Sequence, residues 1–389
     1  MKKLKLGLLS KILIAIALGV GAGLGLEHFQ IESVARIFVT INGVFSQFLG
    51  FVIPLIILAL VTKAIADIGN KAGKMLLVTV AIAYGSTVFA GLVSYLTGAA
   101  LFPSMIDSTS ALNAADDFVS LTPFFQVNIP PLMGVMTALI LAFTLGLGLA
   151  STQHETLMKA THGFEEIMVK TIKAAIIPLL PLYIFGIFLD MAYVGKVFSI
   201  LSVFIKIIGI IFLIHIGILL LQFIIAGGIT KKNPFRLLWT MMPAYFTALG
   251  TQSSAATIPV TLEQSRKNGV SEDIAGFTVP LCATIHMAGS TLKIVACALA
   301  LMIMQDIPYD FGMFAGFICM LGITMVAAPG VPGGAIMASL GLLGSMLGFD
   351  AEMQALMIAL YIAMDSFGTA CNVTGDGAIA LVVDRIFKK

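Results

Sequence analysis

The sequence predicts an all-α polytopic membrane protein: eight transmembrane helices plus two re-entrant helical hairpins. Three observations predict it. Hydrophobic residues fill 59% of the 389 positions and charged residues only 11%, against about 25% charge in soluble domains. Apolar runs long enough to cross a bilayer recur along the whole chain. Two further apolar segments are interrupted at their centres by polar residues, glycine or proline.

The apolar runs cover roughly 12–27, 37–62, 75–102, 132–150, 172–194, 198–228, 275–304 and 353–383. Each is near or above the ~20 residues a spanning helix needs. The basic start at residues 1–5 has the look of a signal peptide. The run after it reaches Leu26 without a small-x-small cleavage site, so an uncleaved first helix is expected.

The segment 237–264 is different. Its centre reads Gly250-Thr251-Gln252-Ser253-Ser254-Ala255, and each apolar arm is too short to cross. Basic residues flank both ends (Lys231, Lys232 and Arg236; Arg266 and Lys267), which puts both ends on one side, as in a re-entrant hairpin. The segment 311–349 is interrupted by Pro329-Gly330-Val331-Pro332-Gly333-Gly334 and flanked by acids, Asp306, Asp310, Asp350 and Glu352. Proline and glycine at that density stop a helix, so a second hairpin is expected from the opposite face.

Charge fixes the expected orientation. With a cytoplasmic N-terminus, nearly all Lys and Arg fall inside, among them Lys63, Lys71, Lys74, Lys159, Lys170, Lys173 and Arg385. Only Arg36, Lys196 and Lys206 fall outside. This is the positive-inside pattern, and it predicts two cytoplasmic termini in a cell (inner) membrane protein. The 103–130 loop, with Asp107, Asp116 and Asp117 and no Lys or Arg, suits the outside. Cys282, Cys297, Cys319 and Cys371 sit in apolar stretches without metal-like spacing and read as buried hydrophobes.

Irregular backbone at membrane depth needs an enclosed or wet cavity. Its carbonyls suit Na⁺, and helix N-termini suit a carboxylate. The two hairpin tips are therefore candidate binding elements. The last span carries Asp365, Asn372 and Asp376 at spacings of seven and four, on one helix face. Ionised groups at mid-span are costly and usually functional. Carbonyls near Gly375, where the helix can loosen, would add oxygen ligands for a hard cation. In the span before it, His286 and Lys293 lie two turns apart on one face, and Lys293 needs an anion, such as Asp365 or Asp376, or a wet cavity.

These motifs carry a family resemblance. The runs Ser253-Ser254-Ala255-Ala256-Thr257-Ile258-Pro259-Val260-Thr261, Pro280-Leu281-Cys282-Ala283-Thr284-Ile285, Gly330-Val331-Pro332-Gly333-Gly334 and Asn372-Val373-Thr374-Gly375-Asp376 occur in order. The chain resembles the dicarboxylate/amino acid:cation symporter family, which includes excitatory amino acid transporters and archaeal aspartate transporters. The resemblance covers essentially the whole chain. It implies one transporter domain over 1–389, a homotrimer and an elevator motion, with the second hairpin as outer gate. The scaffold would lie mainly in 1–72 and 132–196, the transport unit mainly in 73–102 and 198–389.

By the same resemblance, Asp365 holds a substrate ammonium, with carbonyls of Gln252 and Val331. Asn372 and the Ser254 amide hold the α-carboxylate, and Ser253, Ser290, Gly368, Thr369 and Lys293 complete the substrate site. One Na⁺ site falls to Asp376 with carbonyls of Cys282, His286 and Asn372. A second falls to Thr284, Met287 and carbonyls of Met325, Val326 and Ala328. A third is not expected, because His286 and Ala288 replace its Asn and Asp.

Acidic-substrate members carry an Arg where this chain has Gly368, and often an acid where it has Tyr361. The first reading is that Gly368 opens the pocket to a small neutral amino acid. His286-Met287-Ala288-Gly289 is similar to the serine/threonine branch. The alternative is an acidic amino acid or dicarboxylate, with Lys293 as the side-chain counter-ion. A more remote alternative is an ion channel. An intramembrane aspartyl protease is excluded, since its two aspartates face each other from separate helices. Neither an enzyme nor a nucleic-acid partner is expected.

Overall fold

The computed structural model describes residues 8–70, 73–106, 121–195, 197–328 and 332–387. Val331, with Pro329 and Gly330, lies outside the described residues, as do Lys71, Lys196, Asp107, Asp116 and Asp117. Every regular element among the described residues is helical. Seven helical spans are long and apolar enough to cross a membrane, and a bent pair at the C-terminal end makes an eighth. Each overlaps a run expected from the sequence.

The first half holds α1 (Leu8–His28), α2 (Glu32–Asn70), α3 (Lys74–Met105), α4 (Val135–Thr152), α5 (Glu155–Thr171) and α6 (Ile177–Tyr193). Between α5 and α6 the helix widens into a π-turn at Ile172–Ile176. Pro178 follows it and has no N–H to return to Ala174, so the ladder must slip at this point. Helix α1 packs along α6, and α2 packs along α4. The start of the 121–132 segment is strapped to α2: Arg36 Nε donates to the Thr122 carbonyl (2.9 Å), and the Phe124 amide to Thr40 Oγ1 (2.9 Å).

The second half holds α7 (Val197–Thr230), then the first hairpin, α8 (Pro234–Thr251) and α9 (Ser254–Lys267). Next come α10 (Glu272–Ile285) and α11 (Ala288–Met304), then the second hairpin, α12 (Phe311–Ala327) and α13 (Gly334–Leu347). The chain ends in α14 (Ala351–Ala363) and α15 (Asp365–Phe387), bent by 62° at Met364. The arms of each hairpin pack on one another, and α15 is surrounded by α7, α8, α9, α10 and α11.

Polar side chains set the helix starts. Asn233 Oδ1 accepts from the Phe235 and Arg236 amides ahead of α8, and Ser253 Oγ from Ala256 ahead of α9. Asp310 and Asp350 accept from Met313 and Met353 (both 2.9 Å). Two of the four acids that flank the second interrupted segment are thus N-caps, each worth about 1 kcal/mol. Helix α11 is buried from Ala288 to Met302, so any polar group there must find its partner inside the protein.

Candidate functional site

The site is built where two helices break. The first break is at Met364, ahead of α15. Asp365 opens that helix, and its two carboxylate oxygens face different elements. Oδ1 lies 3.0 Å from Lys293 Nζ on α11, and Oδ2 accepts the Gly333 amide at 2.9 Å, from the tip of the second hairpin. Gly333 has φ +75°, a conformation that strains any residue with a Cβ. Lys293 is 0% exposed. Its ammonium also lies 3.4 Å from the Met364 carbonyl and 3.5 Å from the centre of the Tyr361 ring.

The tip of the first hairpin reaches the next residue. Gln252, at φ +54°, ends α8, and its Nε2 donates to Ser366 Oγ at 2.9 Å. The two hairpins therefore converge on consecutive side chains, Asp365 and Ser366. Ser254 and Thr369 are buried nearby in the sequence of the same elements.

Gly368 does not open a pocket. A Cβ there would lie 2.7 Å from Lys293 Nζ and 2.9 Å from its Cε. The space that the expected reading left for a neutral substrate holds the lysine. One turn on, Asn372 Oδ1 accepts the Gly289 amide (2.8 Å) and the Ser290 amide (3.3 Å), and its Nδ2 donates to Ser290 Oγ (3.1 Å). Asn372 thus caps α11 from a neighbouring helix. Tyr361 donates its hydroxyl to the same Ser290 oxygen at 3.0 Å.

The second break corrects the expected continuous span. Helix α10 ends at Ile285, His286 is extended, and α11 begins at Ala288. His286 and Lys293 therefore do not share a continuous helix face. His286 Nδ1 meets Asp376 Oδ1 at 2.9 Å, while Lys293 serves Asp365. With Asp376 ionised, Nδ1–H donates to it. Nε2 then accepts from the Ser86 hydroxyl (3.1 Å), which accepts from Gln222 Nε2 (3.0 Å). Helix α15 stays regular through Gly375, against the expected loosening. A Cβ there would lie 2.6 Å from Gln222 Oε1 and 2.8 Å from His286 Cε1, so the glycine serves close approach instead.

Oxygen donors for a hard cation come from these breaks. The His286 amide still reaches the Cys282 carbonyl (2.8 Å), but the Met287 amide turns to Thr87 Oγ1 (3.3 Å). The break removes the usual i+4 amides from the carbonyls that follow Cys282, beside the Asp376 carboxylate. At the end of α12, the Ala328 amide reaches the Met325 carbonyl (3.2 Å), and the carbonyls of the last turn, including Val326, pass the end of the helix. Such sets suit Na⁺. Thr284 is exposed and donates to the Leu281 carbonyl (2.7 Å), while Met287 is buried. Among the described residues no group of three or more His, Cys, Asp or Glu could hold a metal.

Several participants escaped the sequence reading. Ser366, Ser86, Thr87 and Gln222 carry no spacing signal, being small or neutral in apolar runs. His215, also passed over, is buried, with its Nε2 3.1 Å from the Gly289 carbonyl.

A multi-pass helical protein with two hairpins meeting on a buried, charged helix start is the architecture of a membrane carrier. The model of the sodium:dicarboxylate symporter family matches residues 8–386, and the chain belongs to that family. Among curated relatives, neutral amino acid transporter B(0) of Mus musculus is 31% identical over 161 residues, 40% of this chain and 29% of the relative. Excitatory amino acid transporter 3 of Oryctolagus cuniculus is 33% identical over 162 residues, 41% of this chain and 31% of the relative. Excitatory amino acid transporter 2 of Homo sapiens is 32% identical over 177 residues, 45% and 30%. The matched stretches span about a third of the length of these relatives.

Proposed function

We propose that the protein is a sodium-coupled symporter of an acidic amino acid or dicarboxylate. The observation that carries this is Lys293 in the space beside Gly368, paired with Asp365. A neutral amino acid brings an ammonium for Asp365 and a single carboxylate; with that carboxylate on Asn372 and the first hairpin tip, Lys293 would be left buried without an anion. Breaking a buried pair by removing one partner costs about 3–5 kcal/mol. An acidic amino acid exchanges partners instead: its ammonium takes Asp365 and its side-chain carboxylate takes Lys293. A dicarboxylate leaves the pair in place and adds an anion beside it. The α-carboxylate falls to Asn372 and the amides at the first hairpin tip, near Ser254. The family's printed name, sodium:dicarboxylate symporter, points the same way.

In this reading Na⁺ binds at Asp376 with carbonyls of the α10–α11 break, and at a second set near the end of α12. The hairpins are re-entrant, the second is the gate, and α3 with α7–α15 moves against α1, α2 and α4–α6 in a homotrimer. Both termini are cytoplasmic. One observation favours a neutral substrate, the similarity to a relative named for neutral amino acids. Competition for Na⁺-driven uptake into proteoliposomes decides between them. Aspartate, glutamate or a C4 dicarboxylate is expected to block uptake. Block by serine or alanine, with none by these acids, overturns the proposal.

A further inference from the structure

We propose that Lys293 is a tethered counter-cation that lets the second hairpin shut, and the carrier return, without cargo. The inference rests on the carrier reading above, and it concerns closure of the site rather than the choice of substrate. Asp365 is bonded on both oxygens by protein groups, Lys293 Nζ at 3.0 Å and the Gly333 amide at 2.9 Å. The ammonium is in turn surrounded by Asp365, the Met364 carbonyl at 3.4 Å and the Tyr361 ring at 3.5 Å. This clasp joins three elements: α11 through Lys293, the start of α15 through Asp365, and the hairpin tip through Gly333. It is complete from protein groups alone, and its net charge is zero.

Charge makes that completeness matter. A lone carboxylate resists enclosure at membrane depth, whereas a paired one does not. Without Lys293, Asp365 could be covered only together with an arriving cation, and an unloaded carrier would stay open. With Lys293, the hairpin tip docks on a neutral pair. The cation that closes the site belongs to the chain, so no counter-transported ion is needed for the return step. When a substrate ammonium displaces Lys293 from Asp365, the lysine stays paired only if a carboxylate of the substrate reaches it.

The test reads hairpin closure by thiol labelling of Ala335→Cys, one residue into α13 and 4% exposed. The full-length chain is reconstituted with Cys319, the exposed cysteine among the described residues, changed to Ser. No substrate is added. Lys293→Met is expected to speed labelling by about tenfold or more, because it leaves Asp365 uncompensated. Lys293→Met with Asp365→Asn removes both charges and keeps an acceptor for Gly333. That pair is expected to return labelling to within about threefold of the parent. Equal labelling of Lys293→Met and the parent overturns the proposal, as does fast labelling of the double variant. Should Lys293→Met not fold, the double variant, which buries no lone charge, carries the test. Because no substrate enters the experiment, a neutral-substrate result in the uptake assay would overturn the proposed function and leave this inference standing.

Discussion

Gly289 and Gly368 separate a structural from a functional use of the same residue type. A Cβ on Gly289 would meet the Gly368 carbonyl at 2.5 Å and Cys371 Cβ at 2.6 Å. Backbone cannot yield there, so Gly289→Ala pushes α11 away from α15. It is expected to lower stability by about 1–3 kcal/mol, read as a falling melting temperature in detergent. Gly368→Ala meets only the end of the Lys293 side chain. The lysine can move, but only by stretching its bond to Asp365. Weakened substrate affinity of about tenfold or more is expected, with a smaller loss of melting temperature than for Gly289→Ala. Gly21, with nothing within 4 Å of its would-be Cβ, is the control: Gly21→Ala is expected to gain about 0.5–1 kcal/mol of helix propensity.

The broken helices belong to the next scale. If the α10–α11 break and Asp376 together hold Na⁺, Asp376→Asn should abolish the rise in melting temperature that NaCl produces over choline chloride. An undiminished Na⁺-specific rise would refute that site. The eight apolar helical runs and the two interrupted helix pairs were legible, because long apolar runs and a polar or Gly–Pro interruption are properties of local sequence. Neither break, at His286–Met287 and at Met364, was legible. No proline or glycine stands at either, and the first is held by side chains distant in sequence. Thr87 draws off the Met287 amide, and Asn372 caps Gly289 and Ser290. Asp365, Asn372 and Asp376 could be read from periodicity because α15 is regular through all three. Their partners could not, since which helix supplies Lys293 or Gln252 is decided by tertiary packing. The inference that an absent Arg at 368 frees space failed for the same reason.

At the scale of the whole molecule, the first half is held together differently from the site. Helix α1 lies on α6 through Gly19 and Gly23, a small-xxx-small pattern. A Cβ on Gly19 would meet the Phe185 carbonyl at 2.5 Å, and one on Gly23 the Leu189 carbonyl. Gly23→Leu is therefore expected to lift α1 from α6 and cut stability by more than about 2 kcal/mol, read by thermal unfolding. The ion pairs joining α2 to α5, Lys63–Glu165 at 3.7 Å and His162–Asp67 at 3.0 Å, are partly exposed. Such pairs contribute about 0–1 kcal/mol each, so packing rather than charge holds this half together.

The enclosure of Lys293 has a practical side. Most lysines of the described chain are at least partly exposed, while this one lies sealed between a carboxylate, a carbonyl and an aromatic ring. Reagents that methylate amines will therefore convert the surface lysines first and reach position 293 only as often as the site opens. Read by mass spectrometry, the delay between those two events measures how often that enclosure opens, in the unaltered protein.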